Sequence, residues 1–338
     1  MGEKENLPVW DGRKSGHYEV WYITGNHKKS GSGFWIRYTL EIPYKGDGWA
    51  GIWFSFFEKG KKPFGLVEKY SLSEFKSEKE SFLINIAGST LSNNESKGEV
   101  SSRRHKATWD LTFESSGSNE TYYHLPRFLY RLPTDTHVLS PNISVALKGN
   151  IKISTVDRER VFEFNGDPAD QTHLWGRKHA HSWVWAHCNG FENKGDFFEG
   201  LAVVVKRGFL KLPLITIFSL RIDEKRYDFN NIFSIVKNKS KYLFSNEPLW
   251  EGEGVSGRIK ANFKIHAARK DFILAEYEDP DGEVAFCHNT EIAWGEITLY
   301  KDGKMFKKIE SDLFHIEFGA RSILDENSER FNFIDKRR

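Results

Sequence analysis

The 338-residue chain has only two cysteines, Cys188 and Cys287. A disulfide framework is therefore excluded, at most one bridge can form, and two buried thiols are the expected state. The chain also lacks a charge bias: 49 Lys and Arg stand against 47 Asp and Glu, for a formal net charge of +2. These charges are interspersed without long blocks, so no basic stripe is available for phosphates and nucleic acid is not an expected partner. Apolar runs of membrane-spanning length are missing, and the N-terminus MGEKENLPVWDGRKSG has no apolar core of the signal-peptide kind. The expected location is the cytoplasm. Myristoylation of Gly2 is disfavoured because Asn6 stands where the motif wants Ser or Thr. The sequons at Asn94, Asn119, Asn142 and Asn238 matter only on a secretory route and carry no weight here.

Aromatic residues are abundant, at 15 % of the chain with 27 Phe and 11 Trp, and such side chains favour pleated, half-buried surfaces. Runs such as HYEVWYITG, FWIRYTLEI, WAGIWFSFF, ATWDLTFES, LAVVVKR and GEITLYKDG are short, β-branched or aromatic, and bounded by Gly, Asn, Asp or Lys. Each reads as a strand. Helical periodicity is confined to a turn near Ser71 to Phe75, a stretch around Phe229 to Val236, and the chain after Arg321. YEDPDGE, from Tyr277 to Glu283, lacks calcium-loop spacing and reads as a hairpin turn.

The two halves resemble each other. Val20-Trp21 and Val184-Trp185 each lead through a polar, glycine-bearing loop into an apolar strand; Gly98 and Gly254 each precede a Val-Ser-x-Arg-type turn and a strand; Gly149 and Gly295 each open a strand followed by a charged turn. The matches keep their order, and their offsets differ by loop-sized amounts, which indicates a duplicated β unit of roughly 150 residues. A chain of this length favours two domains, drawn here as 1–175 and 176–338. Antiparallel units must hide their edge strands, and closure into a barrel does so while leaving an interior for a small apolar ligand. The expected fold is all-β: two lipocalin-like antiparallel β-barrels.

The segment THLWGRKHAHSWVWAHCNGF, from Thr172 to Phe191, concentrates His, Trp and Cys. On a strand, His179, His181, Trp183, Trp185 and His187 share one face and Ala180, Ser182, Val184, Ala186 and Cys188 the other. His179 and His181 could chelate a metal, but His187 lies roughly 20 Å from His181 along an extended strand. No metal is expected. A ligand-lining aromatic face and a plain structural role for these side chains both stay open. Glu19 and Trp21 likewise share a face, with Val20 and Tyr22 opposite. Asp110, Glu192, Asp196 and Glu199 read as solvated turn or rim charges.

FEFNGDPADQTHLWG followed by HSWVWAHCNGFE resembles the tocopherol cyclase-like proteins, relatives of the carotenoid hydratases, through Trp175, Gly176, Trp183, Trp185, Cys188 and Asn189. HYEVWYITG is similar to that family's Glu-x-Trp-Tyr strand, carried here by Glu19, Trp21 and Tyr22, and the AEYEDPDGEVAFCHNTEIAWGEITLYKDGK segment extends the resemblance into the second half. The resemblance implies two lipocalin-like barrels and a hydrophobic ligand such as a prenylated quinol, a carotenoid or another terpenoid, collected by peripheral contact with a membrane. It also implies cofactor-independent chemistry: a buried carboxylic acid protonates an isolated alkene, aromatic faces shelter the cation, and a phenol or water oxygen captures it. Many members place that acid four residues before the glycine, where this chain has Thr172; Asp170, two residues earlier and on the same strand face, is the candidate acid. Glu19, Trp21, Tyr22, Trp175, His181, Trp183, Trp185 and His187 are the candidate ligand contacts. Two functions remain open: a cyclase or hydratase, and a non-catalytic isoprenoid carrier.

Overall fold

The structure, a computed structural model, describes residues 2–115, 119–132, 134–207 and 210–337. After a short helix α1 (Glu3–Asn6), the strands of the first sheet follow one another: β1 (His17–His27), β2 (Ser32–Ile42), β3 (Trp49–Phe57), β4 (Phe64–Ser71), β5 (Phe75–Ser77), β6 (Leu83–Ile86), β7 (Ser89–Ser92), β8 (Glu95–Ser101), β9 (Lys106–Ser115), β10 (Tyr122–Tyr123), β11 (Thr136–Ser154) and β12 (Glu159–Gly176). The second half contributes β13 (Ser182–Cys188), β14 (Phe197–Val204), the small hairpin β15 (Lys206–Arg207) and β16 (Leu210–Lys211), β17 (Ile215–Ile222) and β18 (Lys225–Asp228). Helix α2 (Ile232–Lys237) then leads to β19 (Lys239–Leu243), β20 (Leu249–Ser256), β21 (Ile259–His266), β22 (Ile273–Glu278), β23 (Val284–Lys301), β24 (Lys304–Ala320), β25 (Glu329–Arg330) and β26 (Asn332–Lys336).

One strand order occurs twice: β4-β3-β2-β1-β12-β11-β9-β8 in the first sheet and β18-β17-β14-β13-β24-β23-β21-β20 in the second. The three sequence matches fall on equivalent places in these orders, Val20 and Val184 on β1 and β13, Gly98 and Gly254 on β8 and β20, Gly149 and Gly295 on β11 and β23. The duplication is therefore structural. The first sheet curls until β8 meets β4, where the Ser101 N–H and hydroxyl donate to Glu68 Oε1 at 3.1 and 2.9 Å. In the second, α2 joins the edge strands β18 and β19, and the buried Asn238 amide after it donates to Thr216 O and Phe229 O at 2.9 and 2.6 Å.

Each barrel is filled by its own side chains: Trp21, Phe34, Tyr38, Phe54 and Trp109 in the first, Phe198, Phe218, Trp250, Phe263 and Phe314 in the second. A third cluster of Trp35, Trp53, Trp183, Trp185 and Tyr277 joins residues of both barrels. Thus the barrels are cemented through the outer faces of their strands. Strand β12 stays paired with β1 as far as Gly176. The chain after Arg321 is not helical: β26 pairs in parallel with β4, and Phe331 packs edge-on against Trp35 and Trp53 at 6.1 and 5.2 Å. Tertiary pairing at an open sheet edge overrides the weak local helical pattern there. Cys188 and Cys287 are buried free thiols. No helix among the described residues is long and apolar enough to cross a membrane.

Candidate functional site

Period-two alternation decides what faces the junction between the barrels. On β13, Val184, Ala186 and Cys188 enter the core of the second barrel, which turns Trp183, Trp185 and His187 outward against the first. On β12, Ala169 joins the first barrel's core, which sends its neighbour Asp170 to the junction; Asp170 pairs in register with Thr24 of β1, and Thr172 with Tyr22. Gly33 permits the close approach of the barrels, and Gly319 makes room for the Trp183 ring on the neighbouring strand of its own sheet. A side chain at Gly33 would collide with the Glu291 backbone, and one at Gly319 with the Trp183 ring.

Asp170 is completely buried. The Thr24 hydroxyl donates to its Oδ1 and the Thr172 hydroxyl to its Oδ2 at 3.2 Å. From the second barrel, His187 Nε2 lies 3.5 Å from Asp170 Oδ1 and has no hydrogen-bond partner among the described residues. Burial pushes the Asp170 carboxyl up to about 6, although His187 and the two threonines pull the other way. Arg177 and Lys178, close in sequence, are engaged elsewhere, with Asp135 and with Asp281 and Glu283.

His187 is held from behind. Its Nδ1 donates to Glu199 Oε2 at 2.8 Å, while Glu199 Oε1 accepts from Trp185 Nε1 and from His124 Nε2, both at 2.6 Å. Burial would raise the Glu199 pKa, but hydrogen bonds from His124 and His187 outweigh it and keep the carboxylate below its ordinary range. Burial would lower His187, and here Asp170 and Glu199 win and raise it. Glu199, read from the sequence as a rim charge, is thus corrected to a fully buried anchor; three donors replace the water it loses.

The opposite wall adds groups that the sequence did not single out. His315 stands beside His187 in register, with ring centroids 5.6 Å apart. Its Nε2 meets Asn26 Oδ1 at 2.7 Å, and the Asn26 amide donates to Glu291 O at 2.8 Å. Because Asn26 offers only its oxygen to His315, the neutral ring carries its proton on Nε2 and its lone pair on Nδ1. That Nδ1 faces Glu291 Oε2 at 3.2 Å and Asp170 Oδ1 at 4.0 Å, and neither His315 Nδ1 nor Glu291 Oε2 has a hydrogen-bond partner among the described residues. Burial lifts the Glu291 carboxyl well above its usual range and drops His315 well below its own. The arrangement keeps one carboxyl protonated next to an imidazole lone pair. Beyond His187, Trp183 Nε1 donates to Glu317 Oε1 at 2.7 Å, and Tyr22 meets Trp185 edge-on at 6.0 Å. Among the described residues, no group of three or more His, Cys, Asp and Glu is arranged to hold a metal ion.

The remaining sequence-chosen residues lie elsewhere. Glu19 and Trp21 turn inward and clamp the N-terminal segment: Glu19 accepts from the Val9 and Trp10 N–H groups at 2.6 and 2.9 Å and from His17 and His173, both at 2.9 Å. Trp21 Nε1 donates to Asn6 O at 2.9 Å. Trp175 stacks on His137 at 5.2 Å and lines a cleft of about 360 Å3 with Trp10, His17 and Arg177. The His181 N–H donates to Val204 O at 3.1 Å, one residue before β13 begins. A second cleft, of about 540 Å3, opens where the barrels meet and reaches Pro168 and Asn189. There the Asn189 amide donates to Ala169 O at 2.6 Å, immediately before Asp170 in the chain.

Two lipocalin-like barrels with a polar, aromatic-walled junction define the class. Residues 133–320, more than half of the chain, match the model of the tocopherol cyclase-like family. The chain belongs to that family. In Mycobacterium tuberculosis, the uncharacterized proteins Rv0493c and MT0513 are each 25 % identical to it over 319 residues, spanning 93 % of this chain and 89 % of theirs. Among solved structures, an AttH-type protein (NE1406) of Nitrosomonas europaea superposes with a TM-score of 0.55 at 12 % identity, covering 90 % of this chain and 93 % of its own. CghA, solved with Sch210972, gives a TM-score of 0.60 at 11 % identity over 93 % and 91 % of the two chains. These likenesses establish the fold.

Proposed function

We propose that the protein takes up a hydrophobic prenylated or terpenoid ligand at the barrel junction and protonates an isolated alkene in it without a cofactor. The observation that carries this reading is the burial of two carboxyl groups, Asp170 and Glu291, beside His187 and His315, with no Lys or Arg partner among the described residues. Burial lifts the Glu291 carboxyl well above its usual range and Asp170 to about 6, so near neutrality Glu291 retains the proton that alkene protonation requires, while Asp170, drawn down by His187, holds one only on the acid side. The carboxyl O–H passes its proton to the less substituted alkene carbon, leaving a tertiary cation that the faces of Tyr22, Trp183 and Trp185 shelter. A phenol or water oxygen then bonds to the cation. Its proton goes to the His315 lone pair and from there back to the carboxylate, so the protein ends as it began.

The test supplies a prenylated quinol to the wild-type protein, Asp170→Asn and Glu291→Gln, with products resolved by liquid chromatography and mass spectrometry. Wild-type conversion that falls about 100-fold or more in either variant supports the acid. Conversion that survives in both places the acid elsewhere.

A second reading, a carrier that binds such a ligand without converting it, draws on one observation. Thr172 occupies the position where the family's pattern has its acid, and its hydroxyl donates to Asp170 at 3.2 Å and meets the Ser140 hydroxyl at 3.0 Å. Ligand that co-purifies with the protein and returns unchanged from every incubation would establish this reading.

A further inference from the structure

One end of the second barrel carries apolar side chains that the fold leaves uncovered. Helix α2 presents Phe233 and Val236 at 82 and 83 % exposure, with Ile232 on the preceding position. The helix does not dangle: the Asn231 side chain caps it by accepting from the Ser234 N–H at 3.0 Å, and the Ser234 hydroxyl donates to Val255 O at 3.3 Å. Val255 stands just before the β20–β21 turn, whose Arg258 carbonyl accepts from the Asp302 N–H at 3.2 Å in the neighbouring β23–β24 turn. Immediately after that turn come Met305, 62 % exposed, and Phe306. Three adjoining segments, fixed to one another by hydrogen bonds, therefore hold large apolar side chains out from one end.

Lysines surround them. Lys237, Lys239, Lys301 and Lys304 are exposed, and of these Lys239 alone faces a carboxylate, Glu253, in register across β19 and β20, among the described residues. A stable protein interface needs roughly 800 Å2 of contact on each side. An acidic bilayer needs less: apolar tips that enter the headgroup layer and lysines that meet lipid phosphates.

We propose that this end of the second barrel, formed by α2 and the β20–β21 and β23–β24 turns, docks the protein on an anionic phospholipid membrane. The inference rests on the proposed hydrophobic ligand, for which a bilayer is the natural reservoir, and adds the surface through which that reservoir is met. Docking is peripheral and reversible, because only short side chains enter the lipid.

Flotation with phosphatidylcholine vesicles, with and without phosphatidylserine, tests it in the full-length protein without added substrate, so the outcome is independent of Asp170 chemistry. The wild type should float with the serine-containing vesicles and release in high salt. Phe233→Asp combined with Val236→Asp should weaken association by about tenfold or more at an unchanged melting temperature, and Lys237→Glu with Lys304→Glu should do so as well. Wild-type protein that stays with the soluble fraction, or apolar-site variants that float as well as the wild type, would overturn the proposal. Sedimentation showing a dimer that the Phe233 and Val236 changes abolish would assign the surface to a second copy of the chain instead.

Discussion

Asp170→Asn offers a way to test the site before any ligand is known, through stability alone. In the fold the Asp170 carboxyl is pushed up from 3.8 to about 6, chiefly by burial. A carboxyl whose folded pKa is raised contributes stability that is fully present below its unfolded pKa and is lost as the pH rises through its folded pKa. The window is therefore pH 4 to 6, and at 1.36 kcal/mol per unit the loss amounts to about 3 kcal/mol above it. Asparagine has the shape of the protonated acid and does not titrate. The difference in unfolding free energy between variant and wild type should thus move by about 3 kcal/mol in the variant's favour between pH 4 and pH 7. Urea denaturation at several pH values measures it, and taking the difference removes the titrating groups that Asp170 does not touch, leaving His187 as the neighbour whose titration moves with the substitution. A difference that is flat across this range, or that moves against the variant as the pH rises, would mean that Asp170 is ionised and paired in the fold. The reasoning that makes it an acid would then fail.

Two further outcomes follow from the same geometry. Glu199→Gln removes the carboxylate on which His187, His124 and Trp185 converge; the His187 imidazole should titrate at lower pH in NMR, and stability should fall by about 3 kcal/mol, whereas an unmoved His187 titration would show that Glu199 does not act on it. Glu19 is held down to about 2, because hydrogen bonds from His17 and His173 outweigh the effect of burial. Its contribution is present above pH 4.5 and lost as the pH falls toward 2; at neutral pH Glu19→Ala should cost about 3 kcal/mol and expose the Val9 and Trp10 amides to hydrogen exchange, and continued protection of those amides would refute the clamp.

What could be read from the sequence is what depends on local period and on repetition. The duplication was visible because Val20 and Val184, Gly98 and Gly254, and Gly149 and Gly295 occupy equivalent strands, and alternation alone put Trp183, Trp185 and His187 on one face of β13. Alternation does not tell which face meets the barrel interior when both are buried. On β1, Trp21 and Tyr22 are both large and aromatic, the first fully and the second partly buried, yet one fills the first barrel and the other meets Trp185 across the junction. Glu291 and His315 escaped for a related reason: they gain meaning only from Asn26 and Asp170 in the other half of the chain. The available signal was an acid set inside an apolar strand, as in FFEGLAVV, NTEIAW and HIEFGA. Solvated acids rarely keep such company.

The offset between position 172, where the family resemblance places an acid, and the buried carboxyl of Asp170 has a structural logic of its own. Positions two apart on a strand project from the same face, so both side chains look out of the first barrel toward His187. The offset places the carboxyl one strand repeat, roughly 7 Å, away from Tyr22 and toward Thr24 and Asn26, since β1 pairs Tyr22 with Thr172 and Thr24 with Asp170. There it comes within 4.0 Å of His315, whose other carboxyl neighbour is Glu291. Phe, Trp and Tyr side chains fill most of each barrel's interior, and the outer faces of the strands at the junction carry the polar groups around Asp170. A site divided in this way, with Asp170 and Asn26 from one barrel and His187, Glu291 and His315 from the other, is complete only while the two remain docked.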